Sequence, residues 1–240
     1  MTMLYLIGLG IWDETDLTLR AIEALKTCDK IYCELYTANW KGSLKAIEKI
    51  TGKKIQILER EIVESDLIPA EARKKRIALL VPGDPLVATT HFQLVQDAKK
   101  KRVKTTIIHS SSIYTVVAET GFSIYKFGRT TTLAYPEKGY DPQSPYEIIL
   151  LNRKIGLHTL VLLDTKNNGM TISEALELLE KMDKEEILAK TKIAVAANMG
   201  SGRQTIRYGY AKDLKIKDTG IIIIPSILNY NEEEAMKLWQ

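Results

Sequence analysis

The chain is poor in the residues that build metal centres and disulfide frameworks, with two cysteines and three histidines in 240 residues. Cys28 and Cys33 stand at a spacing that matches no common zinc pair, and His91, His109 and His158 are scattered, so neither a metal nor a disulfide is expected. Long apolar runs are missing as well. The longest, such as Gly220-Ile221-Ile222-Ile223-Ile224-Pro225, are far too short to cross a bilayer, and the amino terminus lacks the basic-then-apolar pattern of a signal peptide. A soluble cytoplasmic protein is therefore expected. No sign of charge dominates: 34 Lys and Arg stand against 30 Asp and Glu, and the net charge of +4 is too balanced to indicate a nucleic-acid binder. Two steeper runs, Arg73-Lys74-Lys75-Arg76 and Lys99-Lys100-Lys101-Arg102, each end an expected helix and precede a strand, where cations favour the helix's negative pole. They read as solvated helix ends, with a docking surface for an acidic or RNA-bound partner as the alternative. Low-complexity segments and internal repeats are absent. With 45% hydrophobic and 27% charged residues, the chain can form one large or two smaller domains with proper cores.

What the sequence does contain is an abrupt strand-to-helix corner, Val81-Pro82-Gly83-Asp84-Pro85-Leu86-Val87-Ala88-Thr89-Thr90-His91. The approach to it, Ile77-Ala78-Leu79-Leu80-Val81, is a short continuous apolar run that fits a strand covered on both faces. Pro82 and Pro85 fix φ and remove two backbone donors, while Gly83 can take conformations closed to other residues, so the corner is stiff and admits close approach of a ligand. Asp84 then lies at the strand's carboxyl end, where open α/β sheets bind ligands. Two readings follow: Asp84 or Thr89 caps the next helix, or the corner opens a ligand site.

The first half alternates strands and helices. Strands are expected at residues 3–7, 31–35, 55–58, 77–81 and 105–108. One helix is capped by Asp16 and buries Leu17, Ala21, Ala24 and Leu25, and another spans residues 43–50. Such alternation implies a mostly parallel sheet with crossover helices. Beyond about Ser112 the texture changes, with strand candidates at 159–163, 192–196, 204–210 and 220–224 and a long helix at 172–182. Alternation around Arg207 marks a half-exposed antiparallel member, hence a mixed sheet. The expected fold is α/β in two closely packed domains, 1–111 and 112–240, with a cleft between them.

The pair Gly8-Leu9-Gly10 after the first strand invites comparison with a dinucleotide fingerprint, but the third glycine should be at position 13. Asp13 stands there, and its charge would repel a pyrophosphate. What remains is a flexible corner in which Ile11 and Trp12 offer apolar walls, suited to an uncharged or cationic ligand part.

Together these residues resemble the diphthine synthase family, within the tetrapyrrole-methylase-like superfamily of S-adenosylmethionine-dependent methyltransferases. The likeness runs along essentially the whole chain. It includes Leu4-Tyr5-Leu6-Ile7-Gly8-Leu9-Gly10, the corner through Ala88-Thr89-Thr90-His91, Ser112-Ile113-Tyr114, Tyr125-Lys126-Phe127-Gly128, Ala134-Tyr135-Pro136-Glu137, Gly156-Leu157-His158-Thr159-Leu160 and Leu162-Leu163-Asp164. Gly-Asp-Pro alone marks the superfamily; the Ala-Thr-Thr-His that follows and the Tyr-Lys-Phe-Gly element are narrower. The resemblance implies a homodimer of two-domain subunits with S-adenosyl-L-methionine, or the product S-adenosyl-L-homocysteine, held in the cleft between domains. Its contacts fall on Ile11, Asp84, Val87, Ser112 and Ile113, and in the second domain on Leu163, Met199 and Gly220. The chain departs from the family at Asn198-Met199, where a small residue usually follows an arginine, and at Gly220, where histidine is common. Ser226 and Asn229 likewise replace a glycine and a histidine.

The reaction implied is repeated N-methylation of the amine on a modified histidine of translation elongation factor 2, within diphthamide synthesis, with no membrane and no direct nucleic-acid contact. A neutral amine can attack a sulfonium methyl without metal or covalent nucleophile, and aligned geometry is worth up to ~7–11 kcal/mol. The amine must first lose a proton, since an aliphatic ammonium is almost wholly protonated at neutral pH. His91 and His158 titrate in a suitable range, yet one begins a helix and the other precedes a strand, so structural hydrogen bonding is the preferred role for both. No general base is assigned, and Asp84 is given a binding role. Trp12, Tyr125 and Tyr135 are candidate cation-accepting walls, with core packing as the simpler reading of each. The competing functions are a methyltransferase of the superfamily acting on a tetrapyrrole or ribosomal RNA, and a non-catalytic RNA-binding protein on the same fold.

Overall fold

The first apolar run becomes β1 (Met3–Gly8), the strand around which the amino-terminal half is organised. In the computed structural model, which describes residues 2–139 and 143–240, the chain divides into two units, Met1–Thr115 and Val116–Gln240. After β1 the first unit continues with α1 (Leu19–Lys26), β2 (Lys30–Cys33), α2 (Leu44–Thr51), β3 (Ile55–Ile57), α3 (Arg60–Val63) and α4 (Leu67–Ala72). It closes with β4 (Arg76–Val81), α5 (Phe92–Lys100) and β5 (Thr105–Ile108), while the short α6 (Ile113–Val116) crosses the boundary. The sheet is wholly parallel in the order β3-β2-β4-β1-β5.

Strand alternation sends successive side chains to opposite faces, and helices cover both. Ile7, Ala78 and Leu80 pack with Ala21 and Leu25 of α1 and Ile47 of α2. On the other face Leu4, Leu6, Leu79 and Val81 meet Ile68 and Ala72 of α4 and Leu94 and Ala98 of α5. The continuous apolar run of β4 is explained by this double cover: residues 77–81 are all fully buried. Most boundaries shift by a residue or two, with β2 ending at Cys33 rather than residue 35, and the start of α1 differs in its cap. Asp16 does not cap α1 but ends a 3-10 turn, Glu14–Asp16, and its carboxylate accepts from Trp12 N at 2.7 Å. The cap is Thr18, whose Oγ1 accepts from Ala21 N at 3.1 Å.

The second unit contains β6 (Thr131–Leu133), α7 (Ser144–Lys154), β7 (Thr159–Leu163), α8 (Ile172–Met182), β8 (Ile193–Ala197), β9 (Thr205–Gly209), β10 (Gly220–Ile224) and α9 (Tyr230–Leu238). Its sheet runs β6-β7-β10-β8-β9, parallel only between β6 and β7, so the expected mixed sheet is present. Leu133, Val161, Val195 and Ile222 pack with Ile149 of α7 and Ala175 and Leu179 of α8. A capping box starts α8 at Thr171 with Glu174 and another starts α9 at Asn229 with Glu232. The carboxyl-terminal turn of α9 is tied back by Trp239, whose indole N–H donates to Thr120 O at 3.0 Å and whose carbonyl accepts from Tyr208 N at 2.9 Å. None of the described helices is long and apolar enough to cross a membrane.

Candidate functional site

In the parallel sheet β1 separates β4 from β5, so the connection from β4 to β5 passes over it; this is a topological switch point, and the carboxyl ends of all three strands face one edge. The corners beyond them are joined into one body. Leu9 N donates to Val81 O at 2.8 Å, and Gly10 and Gly83 exchange two main-chain hydrogen bonds of 3.1 and 2.9 Å. Gly83 has φ +69°, a left-handed conformation that glycine adopts without penalty. Gly8 is required for a different reason: a Cβ there would lie 2.5 Å from Gly83 O and 2.8 Å from Ser110 Cβ. From the β5 side, Ser111 Oγ accepts from Ile11 N at 3.1 Å, and Ser110 Oγ donates to Asp16 O at 3.2 Å.

Asp84 is the buried acid of this edge. One carboxylate oxygen accepts from Leu86 N at 3.0 Å, while the other accepts from Ser110 N at 3.3 Å and lies 2.7 Å from His109 Nδ1. Of the two readings of this corner, helix capping is excluded: α5 begins at Phe92 with His91 before it, and no side chain caps it. Thr89 instead bonds His91 Nδ1 at 2.9 Å. Val87 turns back to Asp84 O at 3.2 Å, and Ala88 takes φ +55°, a conformation that costs a non-glycine residue free energy and recurs at ligand-binding loops. Ser112 is buried, with its backbone N–H held by Thr115 Oγ1, and its Cβ lies 3.9 Å from where a Cβ on Gly83 would be. Ile11, Asp84 and Ser112 therefore meet at one edge, with Val87 and Ile113 on the turns beside them.

The predicted residues of the second unit form a set of their own. Gly220 pairs with Ala197 and is followed by Ile221 opposite Leu162, so Leu163, Gly220 and Ala197 lie in one row across β7, β10 and β8. Met199 follows through a turn in which Asn198 has φ +53°. A Cβ on Gly220 would fall 2.1 Å from Ala196 O, which explains why no side chain stands at this position.

His91 and His158 are enclosed and occupied. His91 is 2% exposed; its Nε2 lies 3.2 Å from Tyr36 Oη, and burial pushes its pKa down to about 4. Beside it is Glu34, a residue for which sequence inspection offers no signal beyond an acid ending an apolar strand. Fully buried, it accepts from Tyr36 N and Thr37 N at 2.9 and 3.0 Å, and burial raises its pKa. His158 accepts from Ser226 N at Nδ1 and faces Glu232 Oε1 at 3.1 Å. Burial pushes the Glu232 carboxyl upward, but Lys126, the backbone N–H groups of Asn229 and Ser123, and His158 together bring it down to about 2. Lys126 also donates to Ile227 O at 2.6 Å, and Phe127 and Phe122 pack edge-on against the His158 ring. In the Tyr-Lys-Phe-Gly element, then, Lys126 and Phe127 hold the unit together, whereas Tyr125 is 92% exposed. Tyr135 donates to Glu174 at 3.1 Å and packs on the core, so Tyr125 and Tyr135 do not form a cage. His109 is the exception among the histidines, with 69% of its side chain exposed. Among the described residues no cluster of His, Cys, Asp and Glu could hold a metal ion. Both cysteines are buried free thiols, with burial raising Cys28 to about 11 and Cys33 further.

The strand edge of the first unit thus offers half-buried apolar side chains at Ile11, Val87 and Ile113, one buried carboxylate, and no close neighbour at Gly83, where a Cβ would meet nothing nearer than 3.9 Å. Those features fit a ligand with an uncharged aromatic part and a cationic part, as S-adenosylmethionine has. They do not fit a pyrophosphate.

The comparisons with known proteins agree with this chemistry. Residues 3–215 match the family model described as Tetrapyrrole (Corrin/Porphyrin) Methylases, so the fold is that of a methyltransferase, an enzyme that uses a methyl donor. Within that class individual relatives are more particular. The chain is 43% identical to the diphthine synthase of Methanococcus aeolicus, over 98% of this chain and 97% of that protein. It is also 43% identical to the diphthine synthase of Methanocaldococcus jannaschii, over 98% of each. A crystal structure of diphthine synthase superposes with a TM-score of 0.90 at 32% identity, covering 99% of this chain and 95% of that one. The chain belongs to the diphthine synthase family.

Proposed function

We propose that the protein transfers methyl groups from S-adenosyl-L-methionine to the amino group of the modified histidine of translation elongation factor 2, forming diphthine within diphthamide synthesis. The reading also makes it a homodimer acting in the cytoplasm. The observation that carries it is the fused edge of β4, β1 and β5 around the buried Asp84, in a chain of this family. When bound, the donor supplies an electrophilic methyl group on a sulfonium.

The chain's own residues supply binding and alignment. The carboxylate of Asp84 gives the edge a fixed negative charge for the donor's cationic end, and its backbone bonds hold that charge still before any ligand arrives. Ile11, Val87 and Ile113 line the edge for the apolar part, with the Ser112 backbone beside Gly83. In the second unit, Leu163, Met199 and Gly220 are a further set of contacts, Gly220 through its main chain alone. Methyl transfer then depends chiefly on holding donor and amine in line and keeping water away.

The test is direct. The chain, labelled donor and elongation factor 2 carrying the unmethylated precursor are incubated together, and methyl groups are counted by mass. Stepwise addition to the precursor amine is expected. Tight binding of S-adenosylhomocysteine by calorimetry with no transfer to the factor would overturn the substrate assignment. No affinity for S-adenosylhomocysteine would overturn the donor.

A further inference from the structure

We propose that His109, oriented by Asp84, accepts the proton that the substrate amine must lose before each methyl transfer; the inference rests on the methyltransferase reading above. Four observations lead to it. First, the chemistry needs an acceptor, because an alkylammonium has no lone pair to attack with. Second, two of the three histidines are disqualified: His91 and His158 are enclosed, and both are engaged in hydrogen bonds on each ring nitrogen. Third, His109 is open to solvent and stands directly after β5, between the Asp84 corner and the serines that hold Ile11 and Asp16. Fourth, its ring orientation is dictated. Asp84 Oδ2 already accepts from Ser110 N and can only accept from His109 Nδ1, 2.7 Å away, so Nδ1 carries hydrogen. In the neutral ring the lone pair is then on Nε2. A buried carboxylate fixing the tautomer of an accessible imidazole, and stabilising the imidazolium that forms, is the arrangement used for general bases.

The proton balance is simple. An N–H bond of the substrate ammonium breaks, its electron pair remains on nitrogen, and a new N–H bond forms at His109 Nε2. His109 passes that proton to water, which its exposure permits, and returns to the neutral ring before the next transfer. Each methyl group added therefore releases one proton. The acid that faces the ring is Asp84, with Oδ2 2.7 Å from Nδ1. Asp84 acquires a second duty, as the positioning residue for the base.

The variants His109→Ala and His109→Gln test the idea on the full-length chain with elongation factor 2 as acceptor. Turnover is expected to fall by about 10²–10⁴-fold, the range for loss of a general base. Affinity for S-adenosylhomocysteine and the melting temperature should stay near wild type, and free imidazole should restore part of the rate of His109→Ala. Two readouts do not involve turnover. Diethylpyrocarbonate should label His109 ahead of His91 and His158, and nitrogen NMR should find the Nδ1–H tautomer in the wild type and its loss in Asp84→Asn. Turnover within about threefold of wild type, a loss that imidazole does not rescue, a loss of S-adenosylhomocysteine affinity equal to the loss of rate, or an Nε2–H tautomer would each overturn the proposal. If the wild type itself binds S-adenosylhomocysteine but transfers nothing, the substrate reading fails first and this one falls with it. A defect confined to the His109 variants separates the two.

Discussion

Replacing Asp84 separates the two duties of the corner, since its carboxylate both joins β4 to β5 and supplies the negative charge of the edge. Asp84→Ala leaves the N–H groups of Leu86 and Ser110 without their acceptor and His109 without its partner. A hydrogen bond to a charged group is worth about 1.5–3 kcal/mol, and the N–H groups are only partly screened from water. A loss of about 2–3 kcal/mol of stability follows, a fall in melting temperature of roughly 5–10 °C for a chain of this size. Asp84→Asn keeps an oxygen for Leu86 N but removes the charge and sets an amide N–H₂ against Ser110 N–H or His109. Its cost to stability should be smaller, about 1 kcal/mol. If the charge holds the donor's cationic end, both variants lose the same 1.5–3 kcal/mol of binding, which at about 1.4 kcal/mol per decade is a roughly 10–150-fold rise in Kd. Calorimetry with S-adenosylhomocysteine, beside thermal melts of the same samples, reads both quantities. An Asp84→Asn chain that binds within about threefold of wild type would refute the electrostatic role and leave Asp84 as a structural tie alone.

Four further outcomes are expected. His91 has its pKa lowered to about 4 from 6.5, so the unfolded chain takes up the proton first as pH falls. The stability from keeping the ring neutral is present above pH 6.5 and is lost between 6.5 and about 4, to the extent of ~3 kcal/mol; urea unfolding across that window should show the loss in wild type and a flatter profile in His91→Gln. Gly8→Ala places a Cβ 2.5 Å from Gly83 O, and should cost upwards of ~1–3 kcal/mol while prising the corner apart, so calorimetry should find donor affinity reduced along with stability. Lys126→Met removes a cation from the buried Glu232 and should destabilise the chain by ~3–5 kcal/mol; Tyr125→Ala, at a solvent-exposed tip, should change unfolding free energy by less than ~0.5 kcal/mol.

What sequence inspection could and could not read follows from the range of the interactions. Strands 105–108, 159–163 and 220–224 are legible to the residue: the last two are apolar runs buried on both faces, and the half-buried edge strand 105–108 is marked by its β-branched Thr-Thr-Ile-Ile. The antiparallel edge at β9 was legible from its alternation. The helices α7 and α9 were not: Ser144–Lys154 mixes apolar and polar residues around its circumference, and α9 presents polar residues on most of its surface. Asp16 is not the cap that its place before the apolar face suggests, because the extra 3-10 turn moves the helix start to Thr18. At the candidate site the local corners were visible, but their fusion was not. Residues 8–11, 83–84 and 109–112 are far apart in the chain, and only the placement of β1 between β4 and β5 makes them neighbours. For the same reason His109 gave no sign of itself: its partner is 25 positions away, and no motif surrounds it.

The central position of β1 also affects how the chain comes off the ribosome. Its first hydrogen-bonding partner, beginning with Arg76 opposite Met3, emerges about seventy residues later, and its second, beginning with Thr105 opposite Leu4, about a hundred later. At translation speeds of roughly 5–20 residues per second, the strand Met-Leu-Tyr-Leu-Ile-Gly waits several seconds with both edges unpaired, while β2 and β3, made in the meantime, can pair only with each other until β4 arrives to join them to β1. The sheet therefore cannot grow outward from β1 in chain order. It closes in one late step, and until then its most apolar segments are available to chaperones or to one another.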